Sequence, residues 1–239
     1  MTGAAVVTGA ASGLGAAVAA RLASEGYAVT GLDLNAAAGV EQGDVQAPAD
    51  VQRAIDAATA QGPLRVAVAC AGICPVARVL GREGPHDPDL FARTVGVNLQ
   101  GSFNLLRQAA AAMSGNEPDA DGQRGVIVLL SSIAAYEGQI GQLAYAASKG
   151  GVASMVLPAA RDLASRGVRV VGIAPGTFDT PLLAGLPEAA RTALAEAVPN
   201  PRRLGRPDEV ADLVIAIVGN AMLNGTSVRL DGALRMAPR

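Results

Sequence analysis

Short apolar runs alternate with longer amphipathic stretches along this 239-residue chain. The runs are rich in valine, leucine and isoleucine with few polar interruptions, which is typical of strands buried on both faces. The longer stretches repeat alanine, leucine and valine at helical spacing. Alternating strands and helices predict an α/β fold, a doubly wound parallel sheet with helices on both faces. Strands are predicted at 4–8, 27–32, 64–69, 126–130, 168–173 and 227–230, helices at 17–26, 50–60, 89–113, 143–165 and 207–218, loops at 74–88 and 114–125, and a mobile helical lid at about 178–200.

A glycine-rich turn follows the first predicted strand. Gly9, Gly13 and Gly15 permit positive φ and a close backbone approach, and the N–H groups that open the next helix would face a pyrophosphate. Asp33 ends the second apolar run, where a carboxylate can bind both hydroxyls of an adenosine ribose. A 2′-phosphate would be repelled by that charge, so the sequence predicts NAD rather than NADP. Strand, turn and helix together indicate a single-domain Rossmann fold over residues 1–239.

Lys149 is the only lysine in the chain, against eighteen arginines, and it stands four residues after Tyr145. On a helix this spacing places both side chains on one face. A nearby cation favours the phenolate, so the ammonium is expected to lower the pKa of Tyr145 and make it a base near neutral pH. The planar fork of arginine would not replace a compact ammonium that has to reach both a phenol and a sugar hydroxyl.

Composition argues against several other kinds of chemistry. His86, the only histidine, lies in a predicted loop, which disfavours a Ser-His-Asp hydrolase. Cys70 and Cys74 are too few for a disulfide framework, and no metal site is expected from them. The net charge of −2 offers no attraction to nucleic acid or to an anionic membrane. Without a transmembrane-length apolar stretch or a basic leader, we expect a cytoplasmic protein with no membrane or nucleic-acid partner.

Five motifs fall at the carboxyl ends of predicted strands, where ligands bind in such sheets: 9–15, Asp33, 70–72, Ser132 and 175–180. The chain resembles the short-chain dehydrogenase/reductases, whose motifs it carries as Thr-Gly-x3-Gly-x-Gly at 8–15, Asn98, Ser132, Tyr-x3-Lys at 145–149 and Pro-Gly-x3-Thr at 175–180. The resemblance implies that Tyr145 is the acid/base, that Lys149 lowers its pKa and holds the nicotinamide ribose, and that Ser132 binds the substrate oxygen. It also implies that Asn98 holds a relay water and that Thr180 binds the carboxamide. The residues expected at the NAD site are Gly9, Ser12, Gly13, Leu14, Gly15, Asp33, Asp44, Val45, Cys70, Ala71, Gly72, Tyr145, Lys149, Pro175, Gly176 and Thr180.

A closer likeness lies within the family. Residues 116–119, 122–127, 137–139 and 230–236 resemble the type 2 3-hydroxyacyl-CoA dehydrogenases, also called type 10 17β-hydroxysteroid dehydrogenases. That likeness implies reversible oxidation of the 3-hydroxyl of short-chain 3-hydroxyacyl-CoA thioesters in fatty acid metabolism, and a homotetramer. It also implies that Gln142 lies near the substrate oxygen.

Two alternatives remain open at this point. The substrate could be another alcohol or ketone, such as a steroid, a 3-oxoacyl group on a carrier protein, or a general carbonyl compound; Asp33 disfavours the carrier-protein reductases, which usually take NADP. Alternatively, the chain could be an NAD-binding scaffold subunit without turnover. The intact Ser132, Tyr145 and Lys149 argue against scaffolding as the sole role.

Overall fold

Seven parallel strands form the central sheet in a computed structural model that describes residues 3–238. The strands of the chain are β1 (Ala4–Thr8), β2 (Ala28–Asp33), β3 (Val40–Gln42), β4 (Leu64–Ala69), β5 (Leu80–Gly81), β6 (Gly84–Pro85), β7 (Gly125–Leu130), β8 (Val168–Pro175) and β9 (Ser227–Leu230). The central sheet has the order β3-β2-β1-β4-β7-β8-β9, so β1 pairs with both β2 and β4 and the direction of winding reverses there. A ligand crevice is expected at that reversal, beyond the carboxyl ends of the strands.

Helices cover both faces of this sheet, which confirms the predicted doubly wound fold. Neighbouring residues of β1 pack into cores on opposite faces of the sheet. Val6 lies in the core under α2, α4 and α6, and Val7 lies in the core under α1 and α9. This two-sided burial explains why the strands are apolar throughout. The helices are α1 (Gly13–Ser24), α2 (Pro48–Thr59), α3 (Pro88–Val95), α4 (Gly101–Ser114), α5 (Ala134–Glu137), α6 (Leu143–Leu163), α7 (Pro181–Ala184), α8 (Glu188–Glu196) and α9 (Pro207–Gly219).

Two predicted segments differ in the structure. The predicted helix at 89–113 is interrupted by a π-helical turn, Gly96–Gln100, between α3 and α4. A π turn keeps the helical pattern of apolar residues on either side, so periodicity alone does not reveal it. The predicted loop at 74–88 contains the antiparallel pair β5 and β6, whose two-residue strands are too short to show an alternating pattern.

The predicted lid corresponds to two short helices rather than one. The range 178–200 contains α7 and α8, and Arg191 on α8 donates to the Asp179 carboxylate at 2.6 Å. Both side chains of this pair are largely solvated, so the pair adds little stability. The mobility of the lid stays a prediction. No helix within residues 3–238 combines the length and the apolar character needed to cross a membrane.

Candidate active site

The glycine-rich turn is packed against the end of β4. Gly9 has φ +69°, and a Cβ there would lie 2.8 Å from the Ala71 nitrogen. A Cβ on Gly15 would lie 2.1 Å from the Gly9 carbonyl oxygen. The Ala71 N–H also donates to Thr8 Oγ1 at 3.2 Å, which ties the two strand ends together. Glycine is therefore required at 9 and 15, because a side chain at either position would collide with backbone of β4's end or of the turn itself.

The start of α1 faces the segment that follows β8. A Cβ on Gly13, which has φ +55°, would lie 3.5 Å from Thr180 Cβ. Ser12 precedes α1 in an extended conformation, and its hydroxyl makes no capping hydrogen bond to the helix. The first N–H groups of α1, next to Leu14, thus lie between the turn and Thr180, where the sequence predicts the pyrophosphate and the carboxamide.

Asp33 is held at the end of β2 by neutral backbone donors. Its Oδ2 accepts from the Ala11 N–H at 3.1 Å and its Oδ1 from the Asn35 N–H at 2.9 Å. Ala11 belongs to the glycine-rich turn, so the carboxylate stands beside it, as the predicted ribose contact requires.

Asp44 and Val45 follow β3 and turn the chain into α2. Asp44 Oδ1 accepts from the Gln46 N–H at 2.8 Å, and the Asp44 N–H donates to Asp50 at 2.8 Å. Val45 is buried, and its carbonyl accepts from Asn104 at 2.9 Å. Hydrogen bonds on both sides therefore fix this pair at the rim of the sheet.

Lys149 is 5% exposed, an unusual place for an ammonium. Its Nζ donates to the Leu130 carbonyl at 2.8 Å and lies 5.9 Å from the centroid of the Tyr145 ring. The Ser131 hydroxyl donates to the Lys149 carbonyl at 2.8 Å, so the end of β7 holds both the backbone and the tip of this residue. Burial lowers the pKa of Lys149 to about 8, and the nearby Cys70 thiol opposes that fall.

Tyr145 does not have the lowered pKa that the sequence predicts. Burial raises its pKa to about 12, a hydrogen bond with the Ser132 side chain opposes the rise, and Cys74 adds to it. The prediction was wrong for the chain by itself because burial of the phenol outweighs the hydrogen bond with Ser132, while Lys149 Nζ is bonded to a backbone carbonyl. The phenol is therefore protonated at neutral pH and placed to donate a proton.

Asn98 lies fully buried in the π-helical turn. Its Nδ2 donates to the Ile73 carbonyl and to Ser148 Oγ, both at 2.9 Å, and its Oδ1 accepts from the Ile73 N–H at 2.8 Å. A Cβ on Gly72 would lie 3.1 Å from Oδ1 and 3.4 Å from Lys149 Nζ. The side-chain amide thus clamps the segment after β4 against α6. Both Nδ2 hydrogens are used, so any water that Asn98 holds would have to donate to one of its two carbonyl oxygens, Oδ1 or the main-chain oxygen that accepts from Ser102 at 2.6 Å.

Ser132 and Gln142 lie on either side of α5. Ser132 is 7% exposed, and its Oγ accepts from the Ala134 N–H at 3.1 Å in addition to the hydrogen bond with Tyr145. Gln142 directly precedes α6, and its Oε1 accepts from the Gln139 N–H at 3.1 Å. It also forms an isolated bridge with Ala77, so the loop after β4 reaches this side of the crevice.

Pro175 and Gly176 end β8 close to the other motifs. The Pro175 carbonyl accepts from the Ile133 N–H at 3.1 Å, directly after Ser132. A Cβ on Gly176 would lie 2.9 Å from the Asp231 Cα, which explains the glycine. The structure therefore brings the sequence-predicted residues to one edge of the sheet.

Sequence reasoning missed three residues in this site. Ser148 accepts from Asn98 and donates to the Tyr145 carbonyl at 2.8 Å, and its spacing of three residues from Tyr145 could have indicated the shared helix face. The roles of the Ile73 backbone and the Leu130 carbonyl carry no side-chain signal. Within residues 3–238, no group of three or more His, Cys, Asp or Glu side chains could hold a metal ion.

Comparison with known proteins agrees with this geometry. The family model described as short chain dehydrogenase matches residues 3–191. The chain belongs to the short chain dehydrogenase family. It is 50% identical over 249 residues to the 3-hydroxyacyl-CoA dehydrogenase type-2 of Homo sapiens, covering 98% of this chain and 95% of that one. The Drosophila melanogaster protein of the same name is 46% identical over 248 residues, covering 98% and 97%.

A solved structure gives the same result in three dimensions. The crystal structure of 3-hydroxyacyl-CoA dehydrogenase type-2 from Mycobacterium avium superposes with a TM-score of 0.95 at 41% identity, covering 99% of this chain and 97% of that one. The family and the fold predicted from the sequence are thereby confirmed. The roles of individual residues in this short chain dehydrogenase rest on the contacts described above.

Proposed function

We propose that this chain is an NAD-dependent 3-hydroxyacyl-CoA dehydrogenase. It oxidises the 3-hydroxyl of short-chain 3-hydroxyacyl-CoA thioesters in a reversible reaction. The observation that carries the proposal is that the Tyr145 phenol lies next to Ser132 and near the buried ammonium of Lys149. A substrate oxygen between the two hydroxyls would meet one proton donor and one orienting group. The names of the relatives from Homo sapiens, Drosophila melanogaster and Mycobacterium avium supply the substrate class.

The residues of the crevice fit NAD. The glycine-rich turn leads into the N–H groups that open α1, where a pyrophosphate would bind, and Asp33 stands where ribose hydroxyls would bind. When bound, NAD accepts the hydride from the carbon that bears the hydroxyl. Lys149 would hold the nicotinamide ribose and Thr180 the carboxamide.

The protein side of the reaction is proton transfer at the Tyr145 hydroxyl. With a pKa of about 12, the phenol stays protonated at neutral pH and can donate to a 3-keto oxygen that Ser132 orients. In the oxidative direction the phenolate has to accept the proton, and its population rises with pH. A charged ammonium at Lys149 would stabilise that anion, and a carbonyl oxygen of Asn98 would hold the water that returns the proton to solvent.

Initial rates test this proposal directly. The purified protein is assayed by NADH absorbance with 3-hydroxybutyryl-CoA, longer 3-hydroxyacyl-CoA esters, a hydroxysteroid and simple alcohols. We expect the highest kcat/KM with a 3-hydroxyacyl-CoA ester. A higher value with the steroid or an alcohol would assign another substrate, and binding of NADH without turnover of any compound would support a scaffold role.

Asp33 is expected to set the choice of cofactor. Because its carboxylate repels a 2′-phosphate, kcat/KM with NAD should exceed that with NADP by roughly tenfold or more, equivalent to about 1.4 kcal/mol. Asp33→Asn should remove most of this preference. Glu41→Gln is the matched control, since it deletes a carboxylate on the adjacent strand β3. If both variants lost the preference for NAD equally, the discrimination would come from the electrostatic field of the protein as a whole rather than from Asp33.

We also propose a homotetramer. Phe103 on α4 is 43% exposed, and Leu143 and Leu157 on α6 are 48% and 44% exposed, although most other large apolar residues of these helices are buried or half-buried. Subunit contacts would cover these side chains. Light scattering at micromolar concentration should give four times the 23.8 kDa chain mass, and a monomer would contradict the proposal. The cytoplasmic location and the absence of a nucleic-acid partner stay predictions from the sequence.

A further inference from the structure

Four charged side chains form a cluster behind the substrate side of the crevice. Arg229 on β9 donates from Nη1 to Glu137 at 2.8 Å and from Nε to Asp231 at 2.7 Å. Arg235 contacts the same two carboxylates at 3.3 Å each. The Asp231 side chain is only 8% exposed, so its charge depends on these partners. The hydrogen bond from Arg229 lowers the pKa of Glu137, which keeps that carboxylate ionised at neutral pH.

The cluster fixes the last described segment of the chain, residues 231–238, which we call the strap. The strap crosses the loop between α5 and α6. Arg229 also donates from Nη2 to the Leu234 carbonyl at 3.1 Å, which holds the middle of the strap to β9. Three hydrogen bonds join strap and loop, from the Met236 N–H to Glu137 at 3.0 Å, from Gln139 to the Ala237 carbonyl at 2.9 Å, and from the Ile140 N–H to the Pro238 carbonyl at 3.1 Å.

The inner side of the strap touches the elements that carry the site. Leu234 is buried in a small apolar cluster with Ile133, the residue after Ser132, and Val198 at the end of the lid range. Asp231 lies against Gly176, where a Cβ would come within 2.9 Å of its Cα. The strap therefore contacts the ends of β7 and β8 as well as the loop before α6.

That loop determines where the substrate-side residues lie. It runs from Glu137 to Gln142 and continues directly into α6, three residues before Tyr145. From the opposite side, the Ala77 N–H donates to the Gly141 carbonyl at 2.9 Å. The loop is thus held between the segment after β4 and the strap, and none of the residues that bond to it is expected at the NAD site.

We propose that Glu137 and Arg229 are positioning residues, which hold the strap on the loop and so set the affinity for the acyl substrate rather than the rate of hydride transfer. The inference rests on the proposed function for its substrate. Glu137 acts through the loop, because its two oxygens are bonded to Arg229 and to the strap. Loss of its charge releases the strap and the loop together, while Lys149 and Asp33 keep their contacts.

The test compares Glu137→Gln with Glu209→Gln. Glu209 is a matched control because its carboxylate also pairs with an arginine, Arg203, at 2.6 Å, but at the start of α9. We expect Glu137→Gln to raise KM for 3-hydroxybutyryl-CoA by about tenfold, with kcat and the Kd of NADH within about threefold of wild type. Glu209→Gln should lower Tm without changing KM. An unchanged KM in Glu137→Gln, or an equal rise in the control, would overturn the proposal.

A second variant tests the same proposal in case Glu137→Gln does not fold. A chain ending at Arg235 keeps the charged cluster but loses the three hydrogen bonds between strap and loop. It should show the same rise in KM with the same Kd for NADH. If this shortened chain bound substrate as wild type does, the strap would have no positioning role.

Hydrogen exchange separates this inference from the proposed function. Peptides spanning 138–146 should exchange faster in Glu137→Gln than in wild type, and at the wild-type rate in Glu209→Gln. This readout needs no substrate, so it applies even if the wild-type protein oxidises no thioester, an outcome that would refute only the proposed function. Unchanged hydrogen exchange across 138–146 in Glu137→Gln would refute the proposal that the strap positions the loop.

Discussion

Replacing Tyr145 by Phe should lower kcat by roughly 10² to 10⁴-fold while leaving folding and NADH binding intact. The substitution removes the hydroxyl that bonds to Ser132 and keeps the ring, so the packing of α6 is preserved. Ser132 also carries a hydroxyl proton, but an aliphatic alcohol is a much weaker acid than a phenol, and Lys149 Nζ is bonded to the Leu130 carbonyl. Steady-state rates with a 3-hydroxyacyl-CoA ester measure the loss, and fluorescence titration measures the Kd of NADH.

Tyr27→Phe is the matched control for this variant. Burial also raises the pKa of Tyr27, but that residue lies at the start of β2, away from the carboxyl ends of the strands. Its substitution should leave kcat within about twofold of wild type. If Tyr145→Phe kept near-normal turnover, the proton would have to come from another group and the proposed mechanism would fail.

Replacing Lys149 by Arg should lower kcat by about 10²-fold although the positive charge remains. The ammonium fits a site that is 5% exposed, with the Leu130 carbonyl at 2.8 Å and the position of a Cβ on Gly72 only 3.4 Å away. A guanidinium is larger and spreads its charge, so it would move away from the phenol and stabilise the phenolate less. The pH dependence of the oxidative rate should therefore shift to higher pH.

Lys149→Met provides the comparison, since it removes the charge and keeps an unbranched chain. The Met variant should lose at least as much activity as the Arg variant. A Lys149→Arg protein with a near-normal rate and an unmoved pH profile would show that positive charge alone suffices, and that the single lysine has no special role.

The sheet could be predicted from the sequence because burial on both faces gives each strand an uninterrupted apolar run. The bounds predicted for β1, β4 and β9 agree with the structure. The three-residue strand β3 could not be predicted in the same way, because it lies at the edge of the sheet and is only partly buried. The hairpin of β5 and β6 and the short helix α5 have too few residues for a period.

The site was predictable where side chains carry the chemistry. Parallel strands end at one edge of a sheet, so motifs placed after successive strands had to meet. Contacts made by backbone atoms, such as the Leu130 carbonyl on Lys149, leave no trace in the residue types. The predicted lowering of the Tyr145 pKa was wrong for a related reason. The sequence shows the cation four residues away but not how deeply the phenol is buried.

The π-helical turn fixes the number of residues between α3 and α4. Successive residues of an α-helix are rotated by about 100°. Removing one residue from Gly96–Gln100 would restore a regular helix. The deletion would also rotate either Asn98 or the residues that follow it, so Asn98 could no longer bond to both Ile73 and Ser148. The polar loop at 114–125 has no such constraint at the active site. Length variation among natural or engineered versions of this chain should therefore collect in that loop and be absent from the π turn.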